Sequence, residues 1–122
     1  MVTNSMNIRQ REVWLLNLNP TIGAEMAKMR PCVVVNDDDI GVLPLKMIVP
    51  LSSWQNRYSN YIWMTKIVAD EHNGLSKTSV ADSFQVRTVS EQRFVKKIGV
   101  VSNEQLKEIH INIIKALNID YF

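Results

Sequence analysis

The chain has 122 residues, of which 46% are hydrophobic and 21% charged, and this ordinary globular composition excludes an intrinsically disordered protein. Its 14 Lys and Arg residues exceed its 12 Asp and Glu residues by only two, which excludes a polybasic protein that binds nucleic acid by bulk charge. The single cysteine excludes an internal disulfide framework and a cysteine-rich zinc site.

The N-terminal segment comes first in chain order. Residues 1–10 are polar, so we expect a flexible tail followed by one domain at residues 11–122. The tail lacks the apolar run of a signal peptide, and no later stretch approaches the roughly 20 apolar residues of a membrane span. We therefore expect a cytoplasmic protein that does not associate with membranes.

Short segments rich in β-branched and aromatic residues follow, separated by turn residues. The predicted strands are Glu12–Leu18, Cys32–Asn36, Lys46–Leu51, Tyr61–Val68, Ser79–Phe84 and Phe94–Val101. Cys32 opens an apolar run of valines, so we expect a buried structural thiol. Pro50 places the third strand at a sheet edge or at a bulge, because proline lacks the backbone N–H donor.

The spacing of the apolar residues changes at the C-terminus. From Leu106 to Leu117 they recur on one face of a helix, and Ser102 with Gln105 forms a capping box at its start. His110 lies on this apolar face, which predicts a half-buried structural histidine. The sequence therefore predicts a mainly β fold, a small barrel or sandwich, covered in part by one C-terminal α-helix.

The stretch from Val13 to Val35 carries the strongest functional signal. A strand ends at Asn19–Thr21, a loop containing Glu25 follows, and Arg30 and Pro31 open the next strand. Pro31 biases Arg30 toward an extended backbone, and a guanidinium held at a strand entrance suits a phosphate ligand. The alternative is a surface ion pair between Arg30 and Glu25, because most loop arginines are solvated.

This stretch resembles the MazF/PemK family, ribonuclease toxins of bacterial toxin–antitoxin pairs. The family pattern D-P-T-x-G-x-E is matched by N-P-T-I-G-A-E at Asn19–Glu25, and the R-P pair that follows it begins at Arg30. The family segment A-P-I-T-S is similar to VPLSS at Val49–Ser53, and the family strand ending in Q-I-R-T-I-D is similar to Ser79–Ser90. The similarity extends over nearly everything from Arg11 to Leu117.

The resemblance implies an SH3-like β-barrel that forms a homodimer and cleaves single-stranded RNA at short sequences without a metal or another cofactor. It also implies a cognate antitoxin, which we expect to be an acidic, disordered segment that folds over a basic groove. The family's catalytic arginine maps to Arg30 and its hydroxyl residue to Ser52. Glu25 is the candidate for accepting the 2′-OH proton, although a loop carboxylate is more often simply solvated.

Further residues are predicted to bind RNA. Trp54, Tyr58, Tyr61 and Trp63 lie close together around Arg57, and aromatic side chains with an interleaved arginine suit stacking of unpaired bases. Packing within the domain or at a dimer interface is the alternative, and it is favoured for Trp63. The predicted RNA-binding residues are Lys28, Ser53, Trp54, Arg57, Gln85 and Arg87. No metal site is predicted.

Three positions depart from the family pattern. Asn19 replaces aspartate, Ser52 replaces threonine, and Phe84 stands before Gln85 where many members carry a polar or acidic residue. These changes leave open a non-catalytic module that binds RNA or a peptide on the same barrel. A gyrase inhibitor like CcdB, which shares the barrel, is a further alternative. That family depends on a C-terminal tryptophan, whereas this chain ends in D-Y-F.

Overall fold

The computed structural model describes residues 7–120, and within this range it contains seven β-strands and one α-helix. The strands are β1 (Glu12–Asn17), β2 (Met29–Val34), β3 (Leu45–Ser53), β4 (Met64–Ile67), β5 (Ser79–Asp82), β6 (Arg87–Ser90) and β7 (Phe94–Val100). The helix, α1, spans Asn103–Ala116 near the C-terminus. The predicted class, mainly β with a C-terminal helix, is confirmed.

The strands form an antiparallel sheet in the order β4-β5-β3-β2-β1-β7, and β6 pairs with β3. The central strand β3 changes partner along its length, from β6 and β2 to β5 at Leu51–Ser53. Pro50 lies at the last pair with β2, just before this change. The expectation that Pro50 marks an edge strand was therefore wrong. Proline is tolerated in the central strand because the ladder of hydrogen bonds changes partner there.

Two apolar clusters form the core, one on each face of the β1–β2 pair. Val13 and Val33 belong to the cluster that also contains Ile109 of α1, whereas Trp14 and Cys32 belong to the cluster with Phe94. Neighbouring residues of a strand point to opposite faces, so a strand buried on both sides reads as a continuous apolar run. The valine run at residues 33–35 is therefore buried on both faces of the sheet.

The boundaries of the predicted strands differ from the observed ones by up to three residues, most at β2, which begins at Met29 rather than Cys32, and at β4. Residues 56–60 form a 3₁₀ turn and β4 begins only at Met64, so the aromatic residues Tyr61 and Trp63 precede the strand. β5 ends at Asp82 because the Asp82 carboxylate accepts a hydrogen bond from the backbone N–H of Phe84 and starts a second 3₁₀ turn. The short strand β6 follows this turn and was not predicted.

Both ends of the described chain pack against the domain. Residues 1–6 of the predicted tail lie outside the described residues. Ile8 is buried in the core and the side chain of Gln10 donates to the carbonyl oxygen of Val35, so the packed part of the chain begins before Arg11. At the other end, the capping box of Ser102 is present, and His110 is half-buried with Nε2 2.8 Å from the same Val35 carbonyl oxygen. No helix in the described range has the length and apolar character needed to span a membrane.

Candidate functional site

A groove of about 650 Å³ opens at the place where β3 leaves β2. Its walls are the start of β2, the end of β3, the loop at residues 74–77 and the middle of β7. The groove exists because β3 turns toward β5 at Leu51, while β2 stays paired with β1 back to Met29. Residues on the two diverging strands therefore face a common space.

The structure brings the two predicted catalytic residues, Arg30 and Ser52, together at this groove. β2 and β3 pair in a fixed register, with Val34 opposite Ile48 and Cys32 opposite Pro50. Beyond the Cys32–Pro50 pair the two strands diverge, and Arg30 and Ser52, each two residues further along its strand, line the space between them. Ser53, predicted to bind RNA, also lines the groove.

The Arg30 side chain is half-buried and is held by its own loop. Its Nε donates to the carbonyl oxygen of Ala27 at 3.0 Å. No ion pair joins Arg30 to a carboxylate among the described residues, so the alternative surface pair with Glu25 is not formed. The guanidinium is thus positioned through one nitrogen, which leaves its terminal nitrogens for an anionic ligand.

Glu25 is not brought to the groove wall. Its side chain is exposed on the β1–β2 loop, and Oε1 accepts a hydrogen bond of 2.7 Å from the backbone N–H of Ile22. This contact closes a local turn within the loop. The Glu25 carboxylate is therefore exposed to solvent, as the alternative interpretation of the sequence expected, and it also accepts a hydrogen bond from its own loop.

Three lysines on the groove wall were missed at the sequence level: Lys77, Lys96 and Lys97. Lys96 is exposed and lies opposite Leu15, which also lines the groove. Lys97 is paired with Glu12 at 3.0 Å, whereas Lys77 comes from the loop before β5. These residues are distant in sequence from Arg30, so only the pairing of β1 with β7 and the path of the loop bring them to one place. The K-K pair inside the last predicted strand was the available signal.

Glu12 explains how Lys97 is held. Burial by itself raises the pKa of this carboxyl, but hydrogen bonds from Trp14, from the backbone of Arg9 and from Lys97 outweigh it and keep the pKa below its ordinary value. The carboxylate is therefore charged at neutral pH and pairs with Lys97 across the sheet. Lys96 and Lys77, like Arg30, form no ion pair with a carboxylate among the described residues.

Trp54 and Arg57, both predicted to bind RNA, belong to or contact an aromatic cluster. This aromatic cluster consists of Trp54, Tyr58, Tyr61, Trp63 and Phe84. Neighbouring rings are 5.1–6.4 Å apart between centroids, and Tyr61 stacks on Trp63. The Arg57 guanidinium lies 5.2 Å from the centre of the Tyr58 ring, and the Lys66 ammonium lies 5.0 Å from the centre of the Trp54 ring. The cluster begins at Trp54, the residue that follows Ser53 at the end of β3.

The remaining predicted RNA-binding residues lie around the β1–β2 loop and on β6. Lys28 is exposed with a positive φ of 70°, and its N–H donates to the Asn19 side chain. Both polar atoms of the Gln85 side chain already have protein partners, the backbone of Met26 and the Asp82 carboxylate. Arg87 is half-buried on β6.

Cys32 lies behind the groove and is completely buried. Burial raises the pKa of its thiol to about 12, while the positive charges of Arg87 and Arg30 act in the opposite direction. The predicted buried structural thiol is confirmed.

We expect the Cys32 thiol of the folded protein to resist alkylation by N-ethylmaleimide at pH 8, because a buried thiol with this pKa is protonated and inaccessible. Addition of denaturant should make it react rapidly. Because burial keeps the thiol protonated above its ordinary pKa of 9.0, the stability contributed by this group is present below pH 9 and declines as the pH rises toward 12. Rapid modification of the native protein, followed by mass spectrometry, would contradict the burial of this side chain.

The three consecutive aspartates do not form a cluster of ligands. The Asp37 carboxylate accepts from the backbone of Asp39, and the Asp38 carboxylate accepts from the backbone of Gln10. Within residues 7–120, no group of three or more His, Cys, Asp or Glu side chains is arranged to hold a metal ion.

Comparison with known structures supports the barrel fold. The toxin MazF from Deinococcus radiodurans superposes with a TM-score of 0.75 at 19% identity, covering 94% of this chain and 100% of that chain. The Mycobacterium tuberculosis toxin MazF-mt6 gives 0.72 at 18% identity, covering 91% and 100%. An endoribonuclease from a mycobacterial species, solved in complex with its cognate antitoxin, gives 0.70 at 11% identity, covering 94% and 99%. These likenesses confirm the predicted MazF-like fold, with a sheet that stays open between β4 and β7.

Sequence comparison identifies the family. The endoribonuclease MazF9 of Mycobacterium tuberculosis is 28% identical over 108 residues, which cover 84% of this chain and 89% of that protein. The family model described as "PemK-like, MazF-like toxin of type II toxin-antitoxin system" matches residues 9–117, which is most of the chain. The groove, the fold and this match lead to one conclusion: the chain belongs to the PemK-like, MazF-like toxins of type II toxin–antitoxin systems.

Proposed function

We propose that this toxin is a metal-independent endoribonuclease that cuts single-stranded RNA within a short recognition sequence. The observation that carries the proposal is that Arg30 and Ser52 line one groove, which also holds Lys77 and Lys96. A guanidinium, a hydroxyl and unpaired ammonium groups in one groove match the chemistry of an RNA phosphate. The family match and the endoribonuclease MazF9 relative support the same reaction.

The reaction needs no nucleophile from the protein, because the 2′-OH of RNA can attack the adjacent phosphorus. As the attack proceeds, negative charge develops on the non-bridging phosphate oxygens. Arg30 stabilises this charge through its terminal nitrogens, and the Ser52 hydroxyl donates a hydrogen bond to a phosphate oxygen. Arginine stays protonated at neutral pH, so Arg30 does not act as the base. Glu25 remains the proposed proton acceptor, which requires the β1–β2 loop to approach the bound RNA.

Binding of the flanking nucleotides is assigned to the surfaces on either side of the groove. Ser53 and Trp54 extend the groove toward Arg57, and an exposed aromatic cluster offers π-faces to unpaired bases. On the other side, Lys28 and Arg87 contact the substrate in this proposal. Incubation with single-stranded RNA in the presence of EDTA tests the activity, and its failure with a correctly folded protein would refute the proposal.

A non-catalytic RNA-binding module is the second candidate. It is favoured by Phe84, which replaces the polar residue of many family members and leaves an aromatic ring 71% exposed at the end of the aromatic cluster. A gel shift that retains intact RNA after long incubation would support this candidate. Appearance of cut fragments in the same lane would support the endoribonuclease.

Ser52 offers a direct test of the hydroxyl contact. Replacement of Ser52 by alanine should lower kcat/KM about 10- to 100-fold, the rate equivalent of one hydrogen bond to a charged group. Ser52→Thr retains the hydroxyl and should stay within a few-fold of the wild type. Ser59→Ala, an exposed serine of the 3₁₀ turn, is the matched control. Full activity of Ser52→Ala in an assay with a fluorogenic RNA would remove Ser52 from the site.

We also propose that the toxin forms a homodimer. The surface around residues 40–47 carries exposed apolar side chains, including Val42 and Leu43, and these flank a hollow of about 400 Å³. Apolar surface of this kind is typical of an interface with another protein. Light scattering at micromolar concentration tests this assembly, and a mass of one chain at all concentrations would contradict it.

The proposed inhibitor is a cognate antitoxin whose acidic segment covers the groove, as the neighbour solved with its cognate antitoxin makes plausible for this fold. Such a complex depends on contacts with Lys77, Lys96 and Arg30, so we expect its affinity to fall as the salt concentration rises. Titration of the antitoxin at 50 and 500 mM NaCl by calorimetry measures this. An affinity that does not depend on salt would place the antitoxin elsewhere.

A further inference from the structure

Side-chain hydrogen bonds fasten the β1–β2 loop to distant parts of the fold at two places, and the first, from Arg93 to the carbonyl oxygen of Asn19 at 2.6 Å, holds the start of the loop. Its base is closed by the bond from the Leu18 N–H to the Lys28 carbonyl oxygen, which is local. Further along the loop, the backbone N–H of Met26 donates to Oε1 of Gln85 at 2.7 Å, across 59 residues of sequence. This contact links the loop that leads into Arg30 to the 3₁₀ turn after β5.

The orientation of the Gln85 amide is fixed by Asp82. Nε2 of Gln85 donates to Oδ2 of Asp82 at 3.2 Å, while Oδ1 of Asp82 accepts from the backbone N–H of Phe84 at 3.1 Å. The Asp82 side chain is buried, and an ionised carboxylate only accepts hydrogen bonds. It therefore binds the NH₂ end of Gln85, and Oε1 is left to face Met26.

The same loop segment holds the catalytic guanidinium. The residue after Met26 is Ala27, and its carbonyl oxygen accepts from Nε of Arg30 at 3.0 Å. A continuous series of contacts thus runs from Asp82 through Gln85 and the Met26–Ala27 backbone to Arg30. Displacement of this backbone would remove the only side-chain hydrogen bond that Arg30 makes to the described protein.

We propose that Asp82 and Gln85 are positioning residues that fix the Arg30 guanidinium for RNA cleavage by anchoring the β1–β2 loop. The inference rests on the proposed endoribonuclease function. It gives Gln85 a role through Met26, in place of the direct RNA contact expected from its sequence position. A residue that positions the group stabilising the transition state affects kcat more than KM, because the contact matters most as charge develops on the phosphate.

A charge exchange between the two positions tests the proposal. Gln85→Glu keeps an acceptor for Met26 but removes the donor to Asp82 and places two carboxylates together, so we expect kcat to fall about tenfold or more. The double variant D82N/Q85E restores a donor and an acceptor, because the new amide at position 82 donates to the new carboxylate. Its kcat should return to within a few-fold of the wild type. The single variant Asp82→Asn should lose activity, because an NH₂ group then replaces one of the two accepting oxygens and faces the donor of either Gln85 or Phe84.

Hydrogen exchange of the Met26 amide gives a readout that does not depend on RNA. In the wild type and in D82N/Q85E this amide should be protected, and in Gln85→Glu it should exchange faster. Loss of activity in Gln85→Glu without a change at Met26, or without recovery in the double variant, would overturn the proposal and favour direct RNA contact by Gln85. If the wild type cuts no RNA, the proposed endoribonuclease function fails. Separately, if the Met26 amide exchanges at the same rate in Gln85→Glu as in the wild type, Gln85 does not anchor the β1–β2 loop.

Discussion

Replacement of Arg30 by alanine is expected to reduce RNA cleavage about 10²- to 10³-fold, the loss typical for removal of one group that stabilises transition-state charge. The fold should be preserved, because Arg30 is only half-buried and its single side-chain hydrogen bond goes to the neighbouring loop at Ala27. We expect the free energy of unfolding to change by no more than about 1 kcal/mol. Initial rates on a fluorogenic RNA and urea unfolding curves measure the two effects.

Arg30→Lys separates charge from geometry. Lysine keeps the positive charge but lacks the planar fork that binds two phosphate oxygens at once. We therefore expect activity between that of the wild type and that of Arg30→Ala. Arg9→Ala serves as the control, because Arg9 is exposed and distant from the groove wall. Wild-type cleavage by Arg30→Ala would exclude Arg30 from the reaction.

Replacement of Gly74 by alanine should have the largest effect on stability. Gly74 has a φ of +69°, and a Cβ atom there would overlap the backbone carbonyl oxygen of Ile98 in β7. Backbone cannot move aside as a flexible side chain does. We expect a loss of about 3–5 kcal/mol from strain and overlap together, a large part of the stability of a small domain.

The effect should extend to the groove, because Gly74 and Ile98 both line it and the loop carries Lys77 to its wall. We therefore expect weaker RNA binding in addition to a lower melting temperature. Gly41→Ala is the matched control. Gly41 also has a positive φ, of +88°, but a Cβ there meets nothing within 4 Å, so about 1 kcal/mol of strain remains. Equal melting temperatures for the two variants would contradict the close contact between the loop and β7.

The pair Arg30 and Ser52 could be predicted because both residues lie in short motifs, and the extended backbone before Pro31 is a local property. The central part of every strand except β6 was predicted for the same reason, since a run such as CVVV is buried wherever the sheet places it. Lys96 and Lys77 could not be predicted. Their place in the groove depends on the pairing of β7 with β1 and on the path of the 68–78 loop, which no local pattern encodes.

Two other differences have local causes that the hydrophobic pattern conceals. The segment before β4 has the aromatic composition of a strand, yet Tyr61 and Trp63 stack on each other outside the sheet after a 3₁₀ turn. Gln85 lies in a motif that suggested contact with RNA, whereas its amide is occupied by Met26 and Asp82. In each case a specific contact, the stacking of two rings or the hydrogen bonds of one amide, determines the local structure. The residue composition of the segment does not predict such a contact.

Analysis of the ends of RNA fragments tests the proposed reaction most directly. A long single-stranded RNA is incubated with the wild type and with Arg30→Ala in the presence of EDTA, and the cut sites and their termini are determined. Attack by the 2′-OH predicts cuts at a recurring short sequence, with a 2′,3′-cyclic phosphate on one fragment and a 5′-OH on the other, and cuts at the same sites at least about 100-fold slower with Arg30→Ala. Fragments with 5′-phosphate and 3′-OH ends, or cleavage that requires added metal, would contradict this mechanism.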